Sequence, residues 1–230
     1  MTMTSESLEF GSRGFLVLPL VNSEQDLRFL EDVLEPLRQD KSAAGMRNLL
    51  RLCDALRQFA TTGAVFKLAS ELLGSAPRPV RGILFDKTPD ANWYVTWHQD
   101  LSIPVIAKVE TPGYGPWSVK DGVIHVQPPA HILEQMVSLR IHLDDCGENN
   151  GAIKFIPGSH LSGVLDSNEI GKWREAQEEV VCAARRGDVI AMRPLILHAS
   201  STAKSPQQRR VLHLEYSAAA LPNGLDWAMA

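Results

Sequence analysis

Pro79 divides this chain into two parts with different hydrophobic periods, and that division limits what it can fold into. Beyond it, short β-rich runs are separated by glycine, proline and asparagine turns. They cover residues 80–86, 93–98, 137–143, 152–156, 179–183, 188–192, 195–198 and 210–216. Many short strands with such turns predict an all-β sandwich or barrel. Before Pro79 the apolar residues recur at helical spacing. Phe15-Leu16-Val17-Leu18 is the exception and reads as a first strand.

Ser23 is placed to cap a helix carrying Leu27, Leu30, Val33, Leu34 and Leu37. A second helical pattern covers 46–59, with Leu49, Leu50, Leu52, Cys53 and Leu56 on it. A third covers 65–73 and stops at Gly74, a C-cap residue type. The expected fold is therefore mainly β with flanking α, the N-terminal helices packed on one face of the β core. A length of 230 residues suits one domain over 1–230, with 1–78 mostly helical and the β core over 79–220. Residues 102–130 stand apart, with Pro104, Pro112, Gly113, Gly115, Pro116, Gly122, Pro128 and Pro129. We read them as a long loop over the active site, a lid candidate.

Composition excludes several partners. The formal net charge is -4 and there is no basic stripe, which argues against nucleic acid. Cys53, Cys146 and Cys182 are widely spaced and form no C-x-x-C, so a reducing compartment without a disulfide framework is expected. No apolar stretch approaches a membrane span, and Met1 to Phe10 lacks the charged and apolar regions of a signal peptide. The expectation is a cytoplasmic protein, a monomer or homodimer.

The chemistry concentrates in Trp97-His98-Gln99-Asp100, answered by His198 and then Arg209. In a strand, residues two apart point the same way, so His98 and Asp100 are able to reach one ion. His198, at the end of the apolar run Leu195-Ile196-Leu197, can close the set from the opposite wall. Two imidazoles and one carboxylate with open positions favour Fe(II) and O2 chemistry; Zn is also chemically possible. Taken alone, His-x-Asp is a weak signal, and a salt-bridged surface histidine is its bland explanation. No Gly-x-Gly-x-x-Gly follows a strand, and there is neither a P-loop nor a Gly-x-Ser-x-Gly.

Three stretches carry a family resemblance: His98-Gln99-Asp100, the segment from Asn149-Asn150-Gly151 to Pro157-Gly158-Ser159-His160, and His198 with Arg209 eleven residues on. In this order they resemble the phytanoyl-CoA dioxygenase family of Fe(II)- and 2-oxoglutarate-dependent oxygenases. The resemblance spans most of the β portion and little of the helical part. It implies a double-stranded β-helix, or cupin-like jelly roll. It implies His98, Asp100 and His198 as catalytic metal ligands, with 2-oxoglutarate and O2 as co-substrates and Arg209 on the far carboxylate of 2-oxoglutarate. An arginine fork suits that task, since it pairs two-pronged and keeps its charge. Ser200 is a candidate for a further hydrogen bond to the same co-substrate; a turn serine is the plain alternative. Halogenating relatives replace the carboxylate with a small residue, and Asp100 is intact, so hydroxylation with release of succinate and CO2 is expected.

Some choices stay open at the level of sequence. Arg210 rivals Arg209, because Leu212 and Leu214 share one face with Arg210 while Val211, His213 and Glu215 share the other. Arg140 and His142 alternate with apolar neighbours and are candidates for the substrate wall, as are His125 and Gln127 in the long loop. His160 reads as a structural member of its turn, His131 and His213 as structural or surface residues, and Lys87 as a loop lysine. The absence of a basic patch disfavours a CoA-sized polyanion, so a small metabolite or natural-product intermediate is expected. A non-catalytic jelly-roll binding protein and a cupin-type metalloenzyme without 2-oxoglutarate are the rival readings.

Overall fold

A computed structural model describes residues 5–38, 45–88 and 92–230. Helix α1 (Ser5–Arg13) leads into β1 (Phe15–Leu18), α2 (Glu24–Leu34), β2 (Gly45–Met46), α3 (Leu49–Leu52), α4 (Asp54–Ala60) and α5 (Gly63–Leu73). Then follow β3 (Arg78–Lys87), β4 (Val95–His98), β5 (Ile103–Val105), β6 (Trp117–Lys120), β7 (Val123–Val126), α6 (Ala130–Leu133) and β8 (Met136–His142). The chain closes with β9 (Ile153–Phe155), α7 (Ser167–Ala176), β10 (Val180–Cys182), β11 (Val189–Met192), β12 (His198–Ser200) and β13 (Arg209–Ser217). The strands form three antiparallel sheets, ordered β1-β11-β8-β13-β3-β2, β10-β9-β12-β4 and β5-β7-β6.

The period of two in the long strands decides how the layers stack. Leu84, Leu139, Ile141, Ala191, Leu212 and Leu214 occupy one face of the six-stranded sheet. There they form one buried cluster with Leu27, Leu30, Leu49, Leu56 and Leu68 of the helices. Ser23 caps α2 through a full capping box with Asp26, and Gly74 ends α5 in the left-handed conformation. Each fully buried leucine in this layer contributes about 1.5–3 kcal/mol.

The other face meets the four-stranded sheet, and its character changes along the sheet. At the β1–β11 end, Phe15, Ile190 and Met192 pack on Ile153, Phe155 and Cys182. The Phe15 and Phe155 rings stack at 4.5 Å. Towards β8, β13 and β3 the same face carries Arg140, Arg209, His213, Glu215, Arg81 and Lys87. Two facing sheets with helices outside one of them make the expected mainly-β jelly roll, dry at one end and charged at the other.

Several local expectations differ from the structure. The helical pattern over 46–59 splits into α3 and α4 because Cys53 is extended, at φ −140° and ψ 111°. The run 195–198 is a turn up to His198, where β12 begins; Pro194 introduces a turn closed by Ile196 N–H on Arg193 O at 3.2 Å. The stretch 102–130 contains the three-stranded sheet and ends where α6 begins. Its Ile103, Val105 and Val126 are buried with Met136, Leu195 and Trp227. Helix α7 has no buried residue, and so no buried apolar face for a sequence pattern to show.

Candidate active site

Register brings the two histidines together. Strand β12 lies antiparallel to β4 with His198 opposite His98, and the ring centroids are 4.1 Å apart. Asp100 lies just past β4, its N–H donating to Pro194 O at 2.9 Å. Gln99 faces away between them and anchors the turn. Its Nε2 donates to Gly163 O (2.8 Å) and Leu195 O (2.6 Å), and its Oε1 accepts from Leu165 N–H (2.8 Å). Ser159, in the Pro-Gly-Ser-His turn, supports the other side, since its Oγ accepts from Leu197 N–H at 2.8 Å. His160 is structural here, its Nε2 3.1 Å from Gly11 O.

The donor set fits a divalent metal. His98 Nδ1 lies 2.8 Å from Thr96 O and His198 Nδ1 2.9 Å from Ile196 O. Carbonyl oxygens only accept, so each Nδ1 carries the proton and each Nε2 keeps its lone pair. Those Nε2 atoms lie 3.9 and 3.7 Å from the Asp100 carboxylate oxygens. Burial pushes the His198 imidazole down to about 4, which keeps it neutral. Burial works to raise the Asp100 carboxyl, but the electrostatic influence of its neighbours His198, His213, His98 and Arg81 outweighs it and holds the group well below the usual carboxylate range. Asp100, His213 and Glu215 form a second close group. It is satisfied internally, because His213 Nε2 is 3.2 Å from Glu215 Oε1 and Arg81 pairs with the same carboxylate.

A cavity of about 230 Å³ opens beside the triad. At one end Arg209, opposite Lys87 in the β13–β3 register, is 4% exposed. Its guanidinium donates to Gly151 O and to Cys146 Sγ, while its Nε has no protein partner. Lys87 Nζ donates to Ser200 Oγ and Trp93 O, each at 2.8 Å. Burial, then the Arg209 charge, pushes Lys87 down to about 8. Lys87 is thus a strand residue in the cavity wall, not a loop lysine. Arg140 lies over the Phe85 ring at 5.2 Å and reaches His213 Nδ1 at 3.3 Å. Burial and the charge of Arg209 lower it to about 10.

The geometry separates the two adjacent arginines. Arg210 projects from the other face, where its Nε and Nη2 bond Asp144 at 2.9 and 2.6 Å and its Nη2 reaches Glu31 of α2 at 2.7 Å. Only Arg209 lines the cavity. Of the four substrate candidates, Arg140 alone lies in the wall. His142 is buried opposite Val211, with Nδ1 unpartnered, and burial followed by the Arg140 and Arg209 charges lowers it to about 3. His125 is buried in β7, its Nδ1 3.0 Å from Val123 O. Gln127 is tied by its backbone to Gly115 and Pro116.

Arg47, Arg81, Ser102, Lys120, His213 and Glu215 also line the cavity, and sequence reasoning did not single them out for the site. A signal existed for some of them. Arg81, Ile83, Phe85 and Lys87 alternate with buried Val80 and Leu84, as Arg209, His213 and Glu215 do with Leu212 and Leu214. Charges at period two opposite an apolar face mark either solvent or a polar cavity.

The family model described as Phytanoyl-CoA dioxygenase (PhyH) matches residues 19–211. L-proline trans-4-hydroxylase of Streptomyces griseoviridis is 25% identical, over 91% of this chain and 84% of its own length. Among solved structures, the non-heme alpha ketoglutarate dependent carbocyclase SnoK from nogalamycin biosynthesis superposes with a TM-score of 0.73 at 15% identity, covering 100% of this chain and 88% of that one. EctD from S. alaskensis, solved with 2-oxoglutarate and 5-hydroxyectoine, gives 0.71 at 18%, covering 94% and 76%. At these identities the two structures speak to the fold. Among the described residues no helix is long and apolar enough to cross a membrane.

Proposed function

This chain belongs to the phytanoyl-CoA dioxygenase family of Fe(II)- and 2-oxoglutarate-dependent oxygenases, and we propose that it hydroxylates a C–H bond of a small metabolite with His98, Asp100 and His198 holding the iron. Iron and 2-oxoglutarate, when bound, supply the oxidising power: one oxygen atom of O2 becomes the substrate hydroxyl, and the other enters succinate as CO2 is lost. The chain's own residues bind and orient. The two Nδ1–H···O=C bonds fix both imidazoles in the neutral, ligating tautomer. Gln99 and Ser159 set the angle at which Asp100 and His198 meet. Arg209 takes the far carboxylate of 2-oxoglutarate, with Ser200 and Lys87 beside it. Arg140, within electrostatic reach of both Arg209 and Asp100, contributes positive potential at each.

A cavity of about 230 Å³ favours a compact substrate and leaves a CoA thioester to lie largely outside. Named relatives that act on or carry L-proline and 5-hydroxyectoine support small organic molecules. The unpaired cysteines Cys53, Cys146 and Cys182 accord with the cytoplasm, and we expect a monomer or homodimer there.

The observation that carries this reading is the convergence of two Nε2 lone pairs and the Asp100 carboxylate, all ligand atoms within 4.8 Å of one another, at a cavity whose end holds Arg209. Anaerobic titration of the protein with Fe(II) and then 2-oxoglutarate tests it. A weak visible charge-transfer band should grow on adding 2-oxoglutarate and be absent in His98→Ala. Tight iron binding without that band would favour a metalloenzyme that does not use 2-oxoglutarate.

A further inference from the structure

The cavity carries more positive charge than its co-substrate requires. Arg47, Arg81, Lys87, Lys120, Arg140 and Arg209 line it, against the carboxylates Asp100 and Glu215 alone. Glu215 is engaged by Arg81 and His213, and Asp100 lies between the two ligand histidines. A divalent ion adds two further positive charges, and 2-oxoglutarate offsets only two.

The cations fall into two groups with the triad between them. Lys87, Arg140 and Arg209 influence one another at the Arg209 end of β13. Arg81 lies opposite Glu215, six residues further along β13, which is about 20 Å of strand. Arg81, Arg47 and Lys120 form the group at that end, within reach of Asp100 and Glu215. The first group suffices for 2-oxoglutarate. In the second, Glu215 neutralises Arg81.

Lys120 is the side chain left over. It is half-buried, and its Nζ donates to a neutral hydroxyl, Ser102 Oγ, at 2.6 Å. Among the described residues no carboxylate pairs with it, and two ammonium donors remain for the cavity. Arg47, beside it, pairs with Asp121 at 3.4 Å where both are more than half exposed, a contact of little strength. A half-buried ammonium with no carboxylate in direct contact is poorly compensated by the more distant Asp100 and Glu215, and an anion brought to it would be stabilised. We propose that Lys120, with Arg47 at its side, binds a carboxylate of the primary substrate, so that the molecule hydroxylated is a small organic acid held on the side of the triad away from Arg209. This rests on the co-substrate reading above, since Arg209 and Lys87 must be occupied by 2-oxoglutarate for the second group to be left to the substrate.

The test uses the full chain loaded with diamagnetic Zn(II), its lysines ¹³C-labelled at Cε, which preserves both their charge and their N–H donors. Lys87→Arg and Lys120→Arg assign the two resonances. Adding 2-oxoglutarate should move the Lys87 signal; if it does not, the co-substrate reading fails, separately from this one. Acetate and cyclopentanecarboxylate are then compared with acetamide and cyclopentanecarboxamide in the 2-oxoglutarate complex. The acids should move the Lys120 signal and bind at least about tenfold more tightly than the amides, a preference of about 1.4 kcal/mol. That preference should vanish in Lys120→Met. A Lys120 signal indifferent to both acids, equal responses to acids and amides, or a preference that survives Lys120→Met would each overturn the proposal.

Discussion

Replacing Arg209 with alanine should weaken 2-oxoglutarate binding by roughly two orders of magnitude and leave the fold intact. The magnitude follows from the surroundings. Arg209 lines the cavity and is 4% exposed, so a carboxylate held against it is largely desolvated. Removing one partner of a buried charge pair costs about 3–5 kcal/mol, because the other charge is stranded. Lys87, opposite Arg209 in the register and hydrogen-bonded to Ser200, keeps a share of the positive potential. That places the loss near the lower bound, about 3 kcal/mol, or roughly 10²-fold in affinity. Arg209→Lys should fall between, since an ammonium supplies charge without the two-pronged fork. The assay is an anaerobic titration of the iron-loaded variants with 2-oxoglutarate, alongside thermal unfolding. Arg210→Ala is the internal control: it breaks the bonds to Asp144 and Glu31 on the helical side, lowering stability without touching the affinity. An Arg209→Ala affinity within threefold of wild type, or a larger effect from Arg210→Ala, would refute the assignment.

Other expectations follow from single contacts. Gly151 has φ +67°, and a Cβ there would lie 2.8 Å from Ser201 O. Gly151→Ala should therefore cost about 1–2 kcal/mol of stability and raise the KM for 2-oxoglutarate, because the Gly151 carbonyl holds Arg209; an unchanged KM would dissociate the two. Gln99→Leu strands the Gly163 and Leu195 carbonyls and the Leu165 N–H, each worth about 1–3 kcal/mol if unpaired, so denaturant unfolding should show a loss of several kcal/mol and iron should bind more weakly. His142 titrates near 3 in the folded chain, below its ordinary value of 6.5. The unfolded chain therefore takes up the proton first, so stability is complete above pH 6.5 and falls as pH drops towards 3, by at most about 1.4 kcal/mol per unit; His142→Leu should flatten that slope, and a parallel slope would show the burial argument to be wrong. Stripping the metal should lower the melting temperature and Zn(II) should restore it, by about 2.7 kcal/mol at a hundred times Kd; His198→Ala should abolish the response.

The sequence revealed the triad more readily than the cavity around it. His98, Asp100 and His198 are rare residue types in a readable order, and antiparallel pairing of β4 with β12 is enough to join them. Alternation alone does not choose between Arg209 and Arg210, because both faces of β13 are covered, one by helices and one by the second sheet; only the spacing shared with the family favours Arg209. The helices bring Glu31 to Arg210, and only tertiary structure supplies that partner. Lys120 escaped notice for a different reason. It lies on β6 in a stretch so rich in proline and glycine that strands of three and four residues were hidden. Pro104 is tolerated there because β5 is an edge strand. The same sheet buries His125 in β7, which is why a histidine that reads well as a substrate contact is not one in the cavity wall. Arg140 and His142 share a face by alternation, yet only the longer side chain lines the cavity.

The attachment of α1 has a practical consequence. Arg13 O accepts from Gly158 N–H at 3.0 Å, Gly14 O from Arg193 N–H at 2.8 Å, and Gly11 O lies 3.1 Å from His160 Nε2. Gly14 leaves room for the His160 ring, since a Cβ there would lie 2.4 Å from Nδ1. The end of the first helix thus grips both the turn that supports His198 and the segment that leads into it. An affinity tag fused close to Ser5, or a deletion that begins the protein at Phe15, acts on the same handle. Recombinant preparations that differ only at the amino terminus should then differ in how much iron they retain through purification, and comparisons of specific activity between them need to be normalised to metal content.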